Sequence, residues 1–376
     1  MRKLHVTSSV ATDKEQWLQL LAQAGIRAEN SIEEVFGIFD GGKLAATAAR
    51  YRNIIKCVAV GESYRSTNVI NELIGGVYTE VFNAGYHACF VYTKKEARDS
   101  FLRFGFRDVE QADETVYFME HAVGGFRDYL EDLRTHRLPL DARSGVCKTG
   151  QEVKRKTGRE GVREAESADR RCAAVVMNAN PFTLGHLHLV TRASRENDLV
   201  HLFVLSEEMS AFRAAARIEL VRQGTAHLKN VIIHPTSDYL VSAATFPAYF
   251  LKEHDDITRI QAKLDSRIFI NHIAPALGIT VRYVGTEPFS IATEIYNNTM
   301  QEAFCDNVKL IVLDRYRTEE GEVVSASTVR TLLASGNVEK AGKLVPPTTR
   351  AYFFTEEGRR VIKALQLAPS SNRSVG

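Results

Sequence analysis

The chain has 376 residues, 44% apolar and 25% charged, the make-up of an ordinary globular protein long enough for two domains rather than one core. A net charge of +2 gives no electrostatic reason to expect nucleic acid or a membrane surface as partner. No run approaches the roughly 18 apolar residues of a spanning helix, and the start MRKLHVTSSVATDKEQW lacks an apolar signal core, so the expected location is cytoplasmic.

The five cysteines, Cys57, Cys89, Cys147, Cys172 and Cys305, are scattered without a CxxC pair. They read as buried or free thiols, and no structural metal site is expected because tetrahedral ligand spacings are missing.

Over 1–130 short β-type runs alternate with helical ones. Lys43 to Tyr51, Ile54 to Val60, His87 to Thr93 and Thr115 to Met119 are rich in Val, Ile, Tyr and Phe, whereas Thr67 to Phe82 and Lys95 to Phe104 carry a helical period. A mixed α/β domain is the expectation. FRDYLEDLR, from Phe126, still predicts a helix. Residues 131–171 then read as a charged flexible linker, because Arg134 to Arg171 has almost no large apolar side chain to offset the entropy of ordering. Its KRK core either meets an acidic or phosphate partner or is simply solvated.

From Cys172 a regular alternation predicts a Rossmann-like parallel sheet over 172–345, followed by a C-terminal extension over 346–376. Strands are expected at Ala173 to Met177, Leu199 to Leu205, Val231 to His234, Thr280 to Val284 and Val308 to Leu313. Helices are expected near Gly185 to Glu196, Phe212 to Leu228, Asp255 to Ala276 and Ile291 to Phe304. Ligands of such sheets sit outside the carboxyl ends of the strands, which is where the stretch NANPFTLGHLHLV (Asn178 to Val190) falls.

Within that stretch Pro181 cannot continue a strand ladder, and Thr183 is a suitable helix cap. Gly185 leaves the first turn's amides unshielded, and His186 stands three residues after Thr183, on the same side of the turn. Free N–H groups, a helix dipole, a hydroxyl and an imidazole aimed at one spot suit a phosphate. His188 is two positions further and faces elsewhere, so it reads as packing or solvent rather than as half of a metal pair.

Thr-x-Gly-His between a strand and a helix resembles the T/H-x-G-H signature of the nucleotidyltransferase superfamily, whose members bind ATP and attack its α-phosphate. VSASTVR, Val324 to Arg330, is similar to that superfamily's ISxSxxR segment, which holds the β- and γ-phosphates. Alone it reads equally as a Ser/Thr helix cap beside a surface arginine. The resemblance assigns His186 to the α- and β-phosphates and Thr183 to the same oxygens. Arg330, with Ser325, Ser327 and Thr328, then holds the departing pyrophosphate. It implies ATP as substrate with Mg²⁺ held largely by phosphates and water.

Three further stretches, SDYLVSAATFPAYFLK (Ser237 to Lys252), VGTEPFS (Val284 to Ser290) with TEIYNNTM after it, and MNANPFTLGH, resemble the [citrate (pro-3S)-lyase] ligase family. The resemblance implies an acid–thiol ligase that activates acetate as acetyl-AMP. The acetyl group then passes to the thiol of the CoA-like prosthetic group on the citrate lyase acyl carrier (gamma) subunit. It places Glu287 near adenosine, where a solvent-facing loop acid is the alternative. Asn178 and Asn180 take the mouth of the first strand, Asn180 where superfamily members handling other substrates carry Asp. Arg217 and Arg315 match family positions without an assigned role.

The N-terminal part, through IIKCVAV, HACFVYT and FLRFGF, resembles a GNAT-like N-acetyltransferase domain. Active enzymes of that type carry small residues in the pyrophosphate loop, whereas this chain has Asn68 and the branched Ile70 there. That departure implies a non-catalytic domain that docks the carrier or its arm. Two other readings stand beside the ligase: an adenylyltransferase acting on a phosphorylated cofactor precursor, and a GNAT acetyltransferase using acetyl-CoA.

Overall fold

The computed structural model describes residues 1–4, 11–28, 31–65, 67–113, 116–137, 171–206, 210–240, 254–286, 291–304 and 308–367. The linker core 138–170, Glu287, Cys147, Cys305 and most of SDYLVSAATFPAYFLK lie outside them. The chain divides into two compact units, one of residues 1–130 with 241–268, the other of residues 131–240 with 269–376.

The first unit carries β1 (Arg2–Leu4), α1 (Ala11–Gln23), β2 (Glu34–Asp40), β3 (Lys43–Tyr51), β4 (Ile54–Val60), α2 (Val69–Asn83), β5 (Ala88–Thr93), α3 (Lys95–Arg103), β6 (Arg107–Ala112), β7 (Val116–Ala122) and α4 (Phe126–Thr135), the last running on into the second unit. Its seven strands order as β1-β2-β3-β4-β5-β7-β6, antiparallel except for β4 with β5. Leu73, Ile74, Val77 and Val81 fall on one stripe of α2 and close on Ile55, Val91 and Met119 of the sheet. Each such side chain contributes roughly 1.5–3 kcal/mol of burial.

The strand pattern missed β2, whose EVFGIFD is interrupted by Gly37. Space explains that glycine, since a Cβ there would lie 2.6 Å from Leu44 Cδ1. The ladder between β4 and β5 stops after two residue pairs, Ile54 with Phe90 and Ile55 with Val91, and beyond them the strands diverge.

The second unit continues with β8 (Cys172–Met177), α5 (Leu184–Glu196), β9 (Leu199–Val204), α6 (Ala214–Thr225) and β10 (Val231–Pro235). Helix α7 (His254–Ile268) belongs to the first unit, where it lies along β6 with Lys263 on Asp113 and Arg267 Nε 3.5 Å from Glu110. The single helix expected over Asp255 to Ala276 is thus interrupted by a π turn at Phe269–Ile273 before α8 (Ala274–Leu277). Then follow β11 (Val281–Gly285), α9 (Ile291–Phe304), β12 (Lys309–Leu313), α10 (Ala326–Ala334), α11 (Val338–Lys343), α12 (Pro347–Tyr352) and α13 (Glu356–Leu367).

All five strands of the second sheet are parallel in the order β10-β9-β8-β11-β12, so the order reverses between β8 and β11. Their ladder ends at Tyr283 with Val175, and the strand ends beyond it separate into a crevice, the place where open parallel sheets take ligands. The four C-terminal helices share a core of Phe212, Val329, Leu333, Leu344, Phe353 and Ile362, so residues 346–367 pack into this unit. The α/β class expected from the alternation therefore holds in both units. Among the described residues no helix is long and apolar enough to cross a membrane.

Candidate active site

The crevice is floored by the turn after β8. Ala179 there holds φ +53°, a left-handed conformation that costs an L-residue about 1 kcal/mol or more and needs firm support. Arg217 supplies part of that support. Fully buried on α6, it donates from NH1 to the Asn178 carbonyl at 2.8 Å and to Asn178 Oδ1, and from Nε to the Phe212 carbonyl at 3.0 Å. Asn178 also exchanges hydrogen bonds with Ser210 Oγ at 3.3 Å. Asn180 is 3% exposed and takes the Phe212 N–H on Oδ1 at 3.1 Å.

Thr183 caps α5, as its residue type predicts. Its Oγ1 accepts the His186 N–H at 3.3 Å while its own N–H donates to His186 Nδ1 at 3.1 Å, closing a reciprocal box. Thr183 is 1% exposed, so its hydroxyl serves the cap and the imidazole. With Nδ1 occupied as acceptor, the neutral ring carries its proton on Nε2. Phe182 lies parallel to the ring at 5.9 Å between centroids. Burial, and secondarily the charge of Arg315, push the His186 pKa down to about 4, so the half-buried ring is neutral at pH 7.

The segment Val324 to Arg330 opens α10. Ser325 is its cap, taking the Thr328 N–H on Oγ at 3.0 Å, and the same Oγ lies 2.8 Å from both Ser327 Oγ and Thr328 Oγ1. Three hydroxyls thus gather at one helix N-terminus. Gly185 brings the two motifs together: a Cβ on it would stand 3.2 Å from the Val324 carbonyl oxygen. Arg330 donates from NH1 to the Asn180 carbonyl at 2.8 Å, joining the second helix to the first turn across 150 residues. It is buried, and desolvation lowers its pKa from the usual arginine value.

Two residues without a role in the sequence now have places. Arg217 lies beneath the turn. Arg315, half-buried just past the carboxyl end of β12, donates from Nε to the Thr286 carbonyl at 2.8 Å. Its position was legible, because the residues following each parallel strand line the crevice; its neighbours were not. His188 is exposed and pairs its ring with Tyr316 at 5.3 Å. The structure thus brings Asn178, Asn180, Thr183, Gly185, His186, Ser325, Ser327, Thr328 and Arg330 to one end of one sheet.

A parallel sheet with a reversal crevice, onto which two capped helix N-termini converge, defines an open α/β domain of the kind that takes ligands at the carboxyl ends of its strands. The sequence profile of the citrate lyase ligase C-terminal domain matches residues 172–353. The [citrate [pro-3S]-lyase] ligase of Escherichia coli strain K12 is 32% identical over 364 residues, covering 94% of this chain and 94% of the relative. That of Klebsiella pneumoniae is 34% identical over 316 residues, covering 83% and 84%. A shorter likeness, 29% over 132 residues, covers 34% of this chain and 78% of the phosphopantetheine adenylyltransferase of Corynebacterium glutamicum strain R. The chain belongs to the citrate lyase ligase family, and is an enzyme of that family.

Proposed function

We propose that the protein is an ATP-dependent ligase that activates acetate as acetyl-AMP and acetylates the thiol of the CoA-like prosthetic group on the citrate lyase acyl carrier subunit. The observation that carries the reading is the convergence of the Thr183–His186 and Ser325–Arg330 helix starts through Gly185 at the reversal of the sheet order. That arrangement fits a polyphosphate better than a single phosphate, since two N-termini face one crevice.

In the first step an acetate oxygen attacks the α-phosphorus of ATP and the bond to the bridging oxygen breaks, releasing pyrophosphate. In the second the carrier thiolate attacks the acetyl carbonyl and expels AMP. Positioning and charge stabilisation supply the catalysis. His186 Nε2–H donates to the oxygens between the α- and β-phosphates, with Thr183 holding the ring in that tautomer. Ser325, Ser327 and Thr328 face the pyrophosphate, while Arg330 holds the Asn180 carbonyl and hence the turn. Mg²⁺ is taken to enter with the nucleotide, held largely by phosphates and water.

Asn180 is cast as the residue that leaves room for an anionic acyl donor. Asp at this position keeps the acceptor used by Phe212 N–H and adds only charge. Asn180→Asp is expected to raise the KM for acetate far more than that for ATP; equal effects remove the assignment. The first unit contributes docking. Between the diverging β4 and β5 lies a cavity of about 540 Å³ lined by Val58, Val60, Tyr92 and Phe101, with Arg65 and Lys94 at hand for a phosphorylated arm. Ile70 also lines it.

The test is mass spectrometry of the deacetylated carrier subunit after incubation with ATP, Mg²⁺ and acetate. A gain of one acetyl group with AMP and pyrophosphate released is expected. AMP retained in the product would favour an adenylyltransferase, and transfer from acetyl-CoA without ATP would favour the first unit as acetyltransferase.

A further inference from the structure

A guanidinium with no solvent exposure lies beneath the mouth of β8, and it governs both asparagines there. Arg217 Nε donates to the Phe212 carbonyl at 3.0 Å, while NH1 donates to the Asn178 carbonyl at 2.8 Å and to Asn178 Oδ1. The same Phe212 gives its N–H to Asn180 Oδ1 at 3.1 Å. One side chain of α6 therefore sets Asn178 directly and Asn180 through Phe212.

The contact also orients an amide. A guanidinium only donates, so Oδ1 is the Asn178 atom that faces Arg217, and the Nδ2 donors turn the other way, where Ser210 Oγ lies at 3.3 Å. The rest of the crevice is held by other means. Arg330 takes the far end of the turn at the Asn180 carbonyl, and the helix starts at Thr183 and Ser325 are closed by their own caps. Arg217 thus bears on the strand mouth. A lysine there would supply one point donor, which cannot bridge two carbonyls as the planar fork does.

We infer that Arg217 is a positioning residue for acid recognition: without touching the substrate, it holds the Asn178 and Asn180 amides in the arrangement that admits the carboxylate of the acyl donor. The inference rests on the acetate-activating reading of the site. It gives the strand mouth to the acid and the two helix starts to the nucleotide.

The experiment takes two readouts on the full-length protein. Acetate-dependent exchange of labelled pyrophosphate into ATP gives the KM for acetate without carrier, and calorimetry gives the affinity for a non-hydrolysable ATP analogue with Mg²⁺. Arg217→Lys is expected to raise the acetate KM about 10- to 100-fold, the range for a binding group lost or displaced by about an ångström, with analogue affinity kept within about threefold. Arg217→Gln should go further in the same direction. Arg222→Gln, at an exposed position of the same helix paired with Glu219, should stay within about twofold in both readouts. Asn178→Asp keeps an acceptor for Arg217 but replaces the Nδ2 donors by an anionic oxygen. Its acetate KM should rise at least as far as in Arg217→Lys, with no fall in melting temperature.

An unchanged acetate KM in Arg217→Lys overturns the inference, as does a loss of analogue affinity equal to the rise in acetate KM, which would make Arg217 a purely structural residue. Should both Arg217 variants fail to fold, Asn178→Asp decides: a raised acetate KM with wild-type analogue affinity supports the assignment, and a wild-type KM ends it. Wild-type protein that binds the analogue but shows no acetate-dependent exchange removes the acetate reading itself, and this inference with it.

Discussion

Each unit opens its sheet between a pair of parallel strands, β4 with β5 in the first and β8 with β11 in the second, and the two openings are finished differently. In the second, both converging helices begin with a side-chain cap, Thr183 and Ser325, and Gly185 keeps the approach clear. In the first, α2 begins at Asn68 with no side-chain cap, and Ile70 projects into the cleft. The lesson is that parallel strand ends supply a crevice, and the first helical turn decides what enters it. Hydroxyls and a glycine at a helix start suit a phosphate, as proposed for the second unit; a branched chain lines the cleft of the first with apolar surface.

The sharpest way to break this contrast is to remove the donor. His186→Ala is expected to lower carrier acetylation by two to four orders of magnitude, the range for deleting a preorganised charge-stabilising group. Asn68→Gly with Ile70→Gly in the first unit should leave ATP analogue binding unchanged. Wild-type turnover in His186→Ala would remove the second unit's advantage altogether.

Gly185→Ala comes next. Its Cβ must displace the Val324 carbonyl by a few tenths of an ångström, and misfits of this kind cost about 1–3 kcal/mol. Analogue affinity should fall about tenfold or more, with crystallography showing α10 moved away from α5. An affinity equal to wild type would mean the motifs need not touch.

A third test uses pH. In the free enzyme His186 has its pKa depressed to about 4, so the affinity for analogue should show no His186 inflection near 6.5, and any His186 contribution should appear only as pH approaches 4. Arg315→Gln removes one of the two causes of the depression, so the inflection should move upward. Nuclear magnetic resonance titration of the His186 ring reads the shift directly.

Stability gives a fourth. His201 and His234 are buried on β9 and β10, with His201 Nδ1 2.8 Å from His234 Nε2. Burial first, then charge on neighbouring histidines, push their pKa values down to about 3 and about 4. Both are neutral when folded but take protons near 6.5 when unfolded. Stability of this sheet edge should therefore be level above about pH 7 and decline as pH falls from about 6.5 toward 4, by up to about 1.4 kcal/mol per pH unit per group. Hydrogen exchange at β9 and β10 should show it, and His201→Leu with His234→Phe should flatten the slope.

The smallest effect is expected from Ser325→Ala. A lost cap costs about 1 kcal/mol of helix stability, visible in exchange of the α10 amides, with analogue binding weakened less than tenfold.

Much of this was legible because it is local. The runs Lys43 to Tyr51 and Ile54 to Val60 match β3 and β4 residue for residue, and Ile291 to Phe304 matches α9, since alternation and helical period are read over a few neighbours. Thr183 and Ser325 announce themselves as caps through residue type and spacing. β2 was hidden by Gly37, a choice made by Leu44 and Leu4 packing over it from other strands. The interruption of the long helix at Phe269–Ile273 likewise has no local punctuation such as proline or glycine.

The sequence by itself therefore determined the alternation of elements, the parallel second sheet and the two capped helix starts at its carboxyl end. Only the tertiary structure decided that Arg330 is turned to the Asn180 carbonyl. It alone fixed Arg315 on the Thr286 carbonyl and made Gly185 the point of contact with Val324. The physical reason is range: caps, periods and the tautomer that the Thr183 N–H imposes depend on neighbours within a turn, whereas desolvation and contacts such as Arg330 with the Asn180 carbonyl depend on groups brought together from more than a hundred residues away.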